Sequence, residues 1–138
     1  MNADFFAVFG SAVRALRARL DRILQLHGLR IGQYQVLRML WEEDGLTPRE
    51  LASRLDVEMP TVTRTVGRMV RDGLVVREAH PNDARSIRIR LTARGSAAKE
   101  EVSRLFADEA EVALTGFSAQ ERADFIADLD RIYRNVHR

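Results

Sequence analysis

Between Pro60 and Arg68 the chain reads Pro-Thr-Val-Thr-Arg-Thr-Val-Gly-Arg, three threonines and two arginines interleaved with valine. At helical spacing Val62, Val66, Met69 and Val70 share one face, which leaves Pro60, Thr61, Thr63, Arg64, Thr65 and Arg68 on the other. Small hydroxyls and guanidiniums enter a major groove without clashing, and both bond to base edges or phosphate oxygens. Threonine is a mediocre helix former, so three within Thr61–Thr65 argue against a solvated helix face filled by chance. Downstream, Asp83 stands two residues before Arg85, a spacing at which a carboxylate can hold a loop and aim the guanidinium. Such an arginine can reach an adjacent minor groove; the alternative is a surface ion pair with no further role. Arg88 and Arg90 alternate along a β-rich run, suited either to tracking phosphates or to an ordinary solvated strand face.

Other chemistries lack their parts. The absence of cysteine removes disulfides, thiolate catalysis, cysteine redox sensing and cysteine-ligated zinc. His27, His80 and His137 lie far apart in the chain with no partner at ligand spacing, so no metal site is expected. There is no nucleophile elbow, no phosphate-cradling glycine loop and no His-Glu-x-x-His, and the carboxylates read as helix surface. Neither an enzyme nor a cofactor is expected.

The 138 residues are 46% hydrophobic and 30% charged with 3 prolines and 8 glycines, which predicts one globular domain over 1–138. Net charge is only +2, but residues 47–94 carry ten arginines against six acids while 95–138 carry six basic residues against nine acids. The middle is therefore the part suited to a polyanion. Lys99 is the sole lysine, whether through codon bias or because bidentate contacts favour arginine. Apolar runs are broken by Arg, Asp or Glu, and the start MNADFFAVFG lacks a basic export segment, which together predict a soluble cytoplasmic protein with no membrane partner.

Positioning these residues requires a particular order of elements. Phe5, Phe9, Val13, Leu16, Leu20 and Ile23 recur at steps of three and four and predict a helix from about residue 4 to 27, stopped by Gly28. Val36, Leu37, Leu40 and Trp41 predict a second over 33–43, closed by Asp44-Gly45. Thr47-Pro48-Arg49-Glu50 is a capping box that opens a short third helix, 48–55. A fourth follows over 59–72 with Gly73 as its stop. The runs 74–78 and 87–91 are β-rich and flank the polar stretch 79–86, which predicts a hairpin with a long basic tip. Thr92 can cap a fifth helix over 93–114, and Ser118-Ala119-Gln120-Glu121 opens a sixth with Phe125, Leu129, Ile132 and Val136 as its stripe.

Helix, tight turn, helix and hairpin, set in the most basic stretch, is the winged helix-turn-helix order. The fold expected is mainly α with a small β-hairpin wing: a winged helix-turn-helix core over 33–94, flanked by dimerisation helices over 1–30 and 95–138. The stretches GQYQVLRML, TPRELASRLDVEMPTVTRTVGRMVRDGLVVR and DARSIRIRLTARG resemble the MarR family of bacterial transcriptional regulators, and the resemblance covers nearly the whole chain. It implies a homodimer with intertwined terminal helices, each fourth helix lying in the major groove of half a pseudo-palindromic operator in double-stranded DNA. It also implies a repressor released by a small, often phenolic molecule. Carried over residue by residue, Pro60, Thr61, Thr63, Arg64 and Arg68 would read bases and hold phosphates, and Arg85 with Asp83 would form the wing contact. Arg30 stands where the family often has a capping Thr, and Gly32 where Pro is frequent, which predicts a loosely capped second helix. Gly67 replaces a more usual acidic residue at about 1 kcal/mol of helix propensity relative to Ala.

Independently of the resemblance, Phe5, Phe6, Phe9, Phe117, Phe125, Ile132 and Tyr133 place on terminal helices more aromatic area than a small domain covers alone. Two copies would cover it with twofold symmetry. His27 and Tyr34 lie where the family's pocket forms, and Arg14 and Arg17 could pair with an anionic ligand from the dimer partner, so a small aromatic or anionic effector is expected there. Core packing or solvated charge is the other reading of each. A protein-interaction module is the rival function, and it would favour Tyr, Trp or Leu where Thr63, Arg64, Arg68 and Arg85 stand.

Overall fold

The computed structural model describes residues 2–137, with side chains from Asp4 onward; the outer bounds of the expected domain, Met1 and Arg138, lie outside them. The order is α1 (Asn2–Leu26), α2 (Ile31–Glu42), α3 (Pro48–Leu55), α4 (Met59–Arg71), β1 (Val75–His80), β2 (Asp83–Leu91), α5 (Ala93–Ala113) and α6 (Ala119–Val136). This is a helical fold with one antiparallel hairpin. The chain divides into two compact units, Met1–Leu105 and Phe106–Arg138.

In the first unit, local chemistry ends the helices where the sequence predicts. Gly28, Gly45 and Gly73 take φ of 76°, 80° and 76°, left-handed values that a Cβ would penalise. Asp56 adopts φ 55° after α3, a conformation its short polar side chain tolerates, and turns the chain into α4. At the start of α3, Thr47 Oγ1 accepts the Glu50 N–H at 3.1 Å, and Glu50 Oε1 accepts the Thr47 N–H at 3.1 Å. The Thr47 backbone N–H, and after it the Thr47 hydroxyl beside the carboxylate, hold the Glu50 carboxyl below the usual carboxylate range.

Two elements depart from the sequence reading. Helix α2 starts two residues earlier than 33 and is firmly capped, although Arg30 has no acceptor to offer. Asp21 of α1 accepts the Ile31 N–H at 3.1 Å, and Gln33 Oε1 accepts the Arg30 N–H at 3.0 Å. The capping oxygen comes from another helix, so the missing threonine at position 30 costs the helix nothing visible. The hairpin is also longer than expected. Its register runs from Val75↔Leu91 to Ala79↔Ile87 and then shifts so that His80 meets Asp83. The turn is Pro81-Asn82, and most of the stretch expected as a loop is strand. Ala84, Arg85 and Ser86 have no counterpart on β1, a bulge that adds residues to one side of the pair.

The core of this unit is built around Leu24, Leu37, Leu51, Met69 and Ile89, all 0% exposed. Each such side chain contributes about 1.5–3 kcal/mol of burial. Ile89 also ties the wing to the α2–α3 connection, its N–H donating to Leu46 O at 2.8 Å. At the start of α5, Gly95 lies so close to Leu74 that a Cβ would overlap the Leu74 carbonyl oxygen. Trp41 Nε1 donates to Gly95 O at 2.9 Å, which fixes α5 against α2. Along α1, in contrast, Phe5, Phe9, Val13 and Leu16 of the predicted apolar stripe remain exposed, while Leu24 is buried.

In the second unit Ser118 caps α6: its Oγ accepts the Glu121 N–H at 3.1 Å, and Glu121 Oε1 accepts the Ser118 N–H at 2.9 Å. Arg122 pairs with Glu111 at 2.7 Å, which holds the Glu111 carboxyl below its ordinary range. No residue of α6 is buried, and Phe125, Ile126, Tyr133 and Val136 of this helix are exposed. Among the described residues no helix is long and apolar enough to cross a membrane.

Candidate nucleic-acid interface

Helix α4 separates its two faces sharply. Val62, Val66 and Met69 are 1%, 2% and 0% exposed, while Pro60, Thr61, Thr63, Arg64 and Arg68 face outward and Thr65 is half-buried. Pro60 sits in the first turn, where its missing N–H leaves no hydrogen bond unmade. Thr63 Oγ1 donates to Met59 O at 3.0 Å, so its only hydroxyl proton is committed to the helix and the oxygen presents lone pairs outward. It is thereby an acceptor, suited to the amino groups of adenine or cytosine.

Thr61, Thr63, Arg64, Thr65, Gly67, Arg68 and Arg71 line one open concavity of about 520 Å³. Arg71 was not singled out from the sequence, although the steps Arg64, Arg68, Arg71 place it on the same stripe. Arg68 and Arg71 also occupy the last turn, where a cation meets the negative end of the helix dipole. Gly67 has an ordinary helical backbone, and a Cβ there would meet only the Arg77 guanidinium at 3.8 Å.

On the wing, Asp83 Oδ1 accepts the Arg85 N–H at 3.0 Å and lies 3.5 Å from Arg85 Nε. The carboxylate thus holds the bulge while the Arg85 side chain stays 94% exposed. Arg88 is placed differently. Its Nε donates to Glu78 Oε1 at 2.6 Å and its Nη2 lies 2.5 Å from the same oxygen, across the strand pair. Arg90 lies 3.6 Å from Asp44 and 3.9 Å from Glu78. The charges of Arg88 and Arg90 are balanced at the root of the wing, whereas Arg85 projects beyond it.

The four residues expected to meet an effector are distributed over separate contacts. Arg14 and Arg17 are exposed on α1, Arg14 with a long 3.4 Å bond to Ser11 Oγ. His27 Nδ1 lies 2.6 Å from Glu101 of α5. Tyr34 is half-buried with its ring edge-on to Trp41 at 6.3 Å, and burial pushes its phenol up, with Arg38 acting in the opposite sense. Among the described residues no cluster of three or more His, Asp or Glu is arranged to hold a metal ion.

A short helix, a left-handed turn, a helix faced with hydroxyls and guanidiniums, and a hairpin with a projecting arginine define a winged helix-turn-helix protein. The MarR family model matches residues 29–87. The HTH-type transcriptional regulator TtmR of Methylorubrum extorquens is 33% identical over 129 residues, covering 94% of this chain and 62% of the relative. The HTH-type transcriptional repressor YetL of Bacillus subtilis is 30% identical over 111 residues, covering 79% and 66%. The chain therefore spans less than two thirds of the length of either relative. A solved MarR family protein from Bacillus stearothermophilus superposes with a TM-score of 0.82 at 28% identity, covering 99% of this chain and 95% of that one. The chain belongs to the MarR family.

Proposed function

We propose that this protein is a homodimeric, sequence-specific DNA-binding transcriptional regulator, a cytoplasmic repressor released from its operator by a small molecule. The observation that carries the reading is the outward face of α4, where every position from Pro60 to Arg71 on that side is a hydroxyl, a guanidinium or a small residue. Regulators and repressors among the relatives support it. In this reading Thr63 accepts from a base amino group, Arg64 donates to a guanine edge, and Pro60, Thr61 and Arg68 fit the backbone and groove wall. Arg85, held by Asp83, enters the flanking minor groove, and Arg88 contacts a phosphate only by giving up part of its pairing with Glu78.

A second copy of the chain covers the exposed apolar side chains of α1 and α6, and its twofold axis matches a pseudo-palindromic site. A small aromatic or anionic effector is proposed to engage Arg14, Arg17, His27 and Tyr34, competing with Glu101 for His27. The test is selection of bound duplexes from a random pool, then affinity against a scrambled duplex over a salt series. The reading expects a pseudo-palindrome with half-sites about one helical turn apart, a preference of about a thousandfold and a steep negative salt slope. Weak binding without an enriched site would instead favour the protein-interaction module.

A further inference from the structure

Gln33 is the one buried polar residue among those described, 3% exposed at the start of α2. Its amide is used at both ends: Oε1 accepts the Arg30 N–H at 3.0 Å, and Nε2 donates to Asp72 Oδ2 at 2.8 Å. Asp72 is the C-cap of α4, its N–H donating to Arg68 O. A carboxylate is disfavoured there, because it adds charge to the negative end of the helix dipole. Its backbone carbonyl in turn accepts from Arg94 Nη1 at 2.7 Å. On the other side, Asp21 of α1 caps Ile31 and is steadied by Gln25 Nε2 at 3.0 Å.

Two sets of hydrogen bonds, joined through the Arg30–Ile31 backbone, therefore link α1 to the first turn of α2 and that turn to the end of α4. Asp21, Arg30, Gly32 and Gln33 share a cavity of about 190 Å³ with Thr65 and Arg68, so the two sets border the face that reads DNA. An apolar side chain would fill the Gln33 site with less desolvation, and polar groups kept in a core serve geometry rather than stability in several systems.

We infer that Gln33 and Asp72 are positioning residues for DNA reading, forming with Asp21 a hydrogen-bonded relay through which α1 sets the angle of α4. The inference rests on the DNA-binding reading above. In a dimer held through α1, that angle determines the separation of the two reading helices and hence the half-site spacing accepted.

The experiment uses the selected duplex with its half-sites moved apart or together in single base-pair steps. Wild type is expected to prefer one spacing over its neighbours by about tenfold. Gln33→Met, which fills the site but cannot donate, lowers that preference to about threefold with an unchanged salt slope, because the same phosphates are met by a helix no longer held at one angle. Gln33→Glu sets a second carboxylate against Asp72 and weakens binding at the preferred spacing by about tenfold. Gln33→Glu combined with Asp72→Asn restores it, since the asparagine amide donates back. Thermal melting of each variant separates geometry from folding. A wild-type spacing profile in Gln33→Met overturns the relay, as does failure of the double variant to regain binding while it melts with wild type. A wild type that selects no site at all overturns the DNA-binding reading, and the relay with it.

Discussion

Gly95→Ala tests the most crowded glycine site among the described residues. The added Cβ would overlap the Leu74 carbonyl oxygen and stand 3.1 Å from Leu91 Cδ2, and neither the strand end nor the start of α5 is a flexible side chain that can swing away. Overpacking of this kind costs about 1–3 kcal/mol. Moving α5 outward to relieve it stretches the Trp41 bond to Gly95 O and the Thr92 Oγ1 cap on the Gly95 N–H, each worth about 1 kcal/mol. Alanine returns about 1 kcal/mol of helix propensity, so the net loss is about 2–4 kcal/mol. At about 3 °C per kcal/mol for a chain of this size, the melting temperature falls by about 6–12 °C. Gly67→Ala is the internal control, since its Cβ meets only a movable arginine tip, and it should stabilise by about 0.5–1 kcal/mol. Thermal and urea unfolding at one fixed protein concentration would measure both. Gly95→Ala melting at or above wild type would refute the close approach of α5 to Leu74, and equal losses in both variants would refute the contrast.

Arg64→Ala should cost about 1–3 kcal/mol on the selected duplex and relax specificity at one position per half-site; a uniform loss across all sequences would make Arg64 a phosphate contact. Arg85→Ala should weaken binding by about 1 kcal/mol with a modest change in base preference, and unchanged affinity would remove the wing from the mechanism. Phe125→Asp should turn a dimer into monomers by sedimentation, because a charge would enter an apolar face that α6 leaves open; an unchanged dimer would place the interface elsewhere. The carboxyls of Glu50, Glu111 and Glu121 titrate below their ordinary value, so their contribution is complete above about pH 5 and lost as pH falls through the acid range below about pH 4. Glu121→Gln should flatten the fall of melting temperature with acid; an unaltered slope would show that the α6 cap is not among its sources.

The features legible in the sequence are those made by neighbours in the chain. The capping boxes at Thr47 and Ser118 join residues three apart, and Gly28, Gly45 and Gly73 stop helices through their own backbone freedom. The stripe of Val62, Val66 and Met69 placed Thr61, Thr63, Arg64 and Arg68 outward, since a helix of fixed pitch has only one way to bury those three. Asp83 and Arg85 were legible for the same reason, their bond spanning two residues.

What the chain could not reveal along its length was decided by contacts between distant segments. Asp21 caps α2 from ten residues away, Gln33 reaches Asp72 across thirty-nine, and Asp44 accepts the Leu91 N–H across forty-seven. The bulge at Ala84–Ser86 depends on a register that only the paired strands define, and with it the division of labour between a projecting Arg85 and an Arg88 tied to Glu78. Local periodicity and capping arise from bond geometry within one turn and so belong to the sequence. The partner of a carboxylate, an amide or a guanidinium depends on which segments tertiary packing brings within about 3 Å, and no periodicity encodes that.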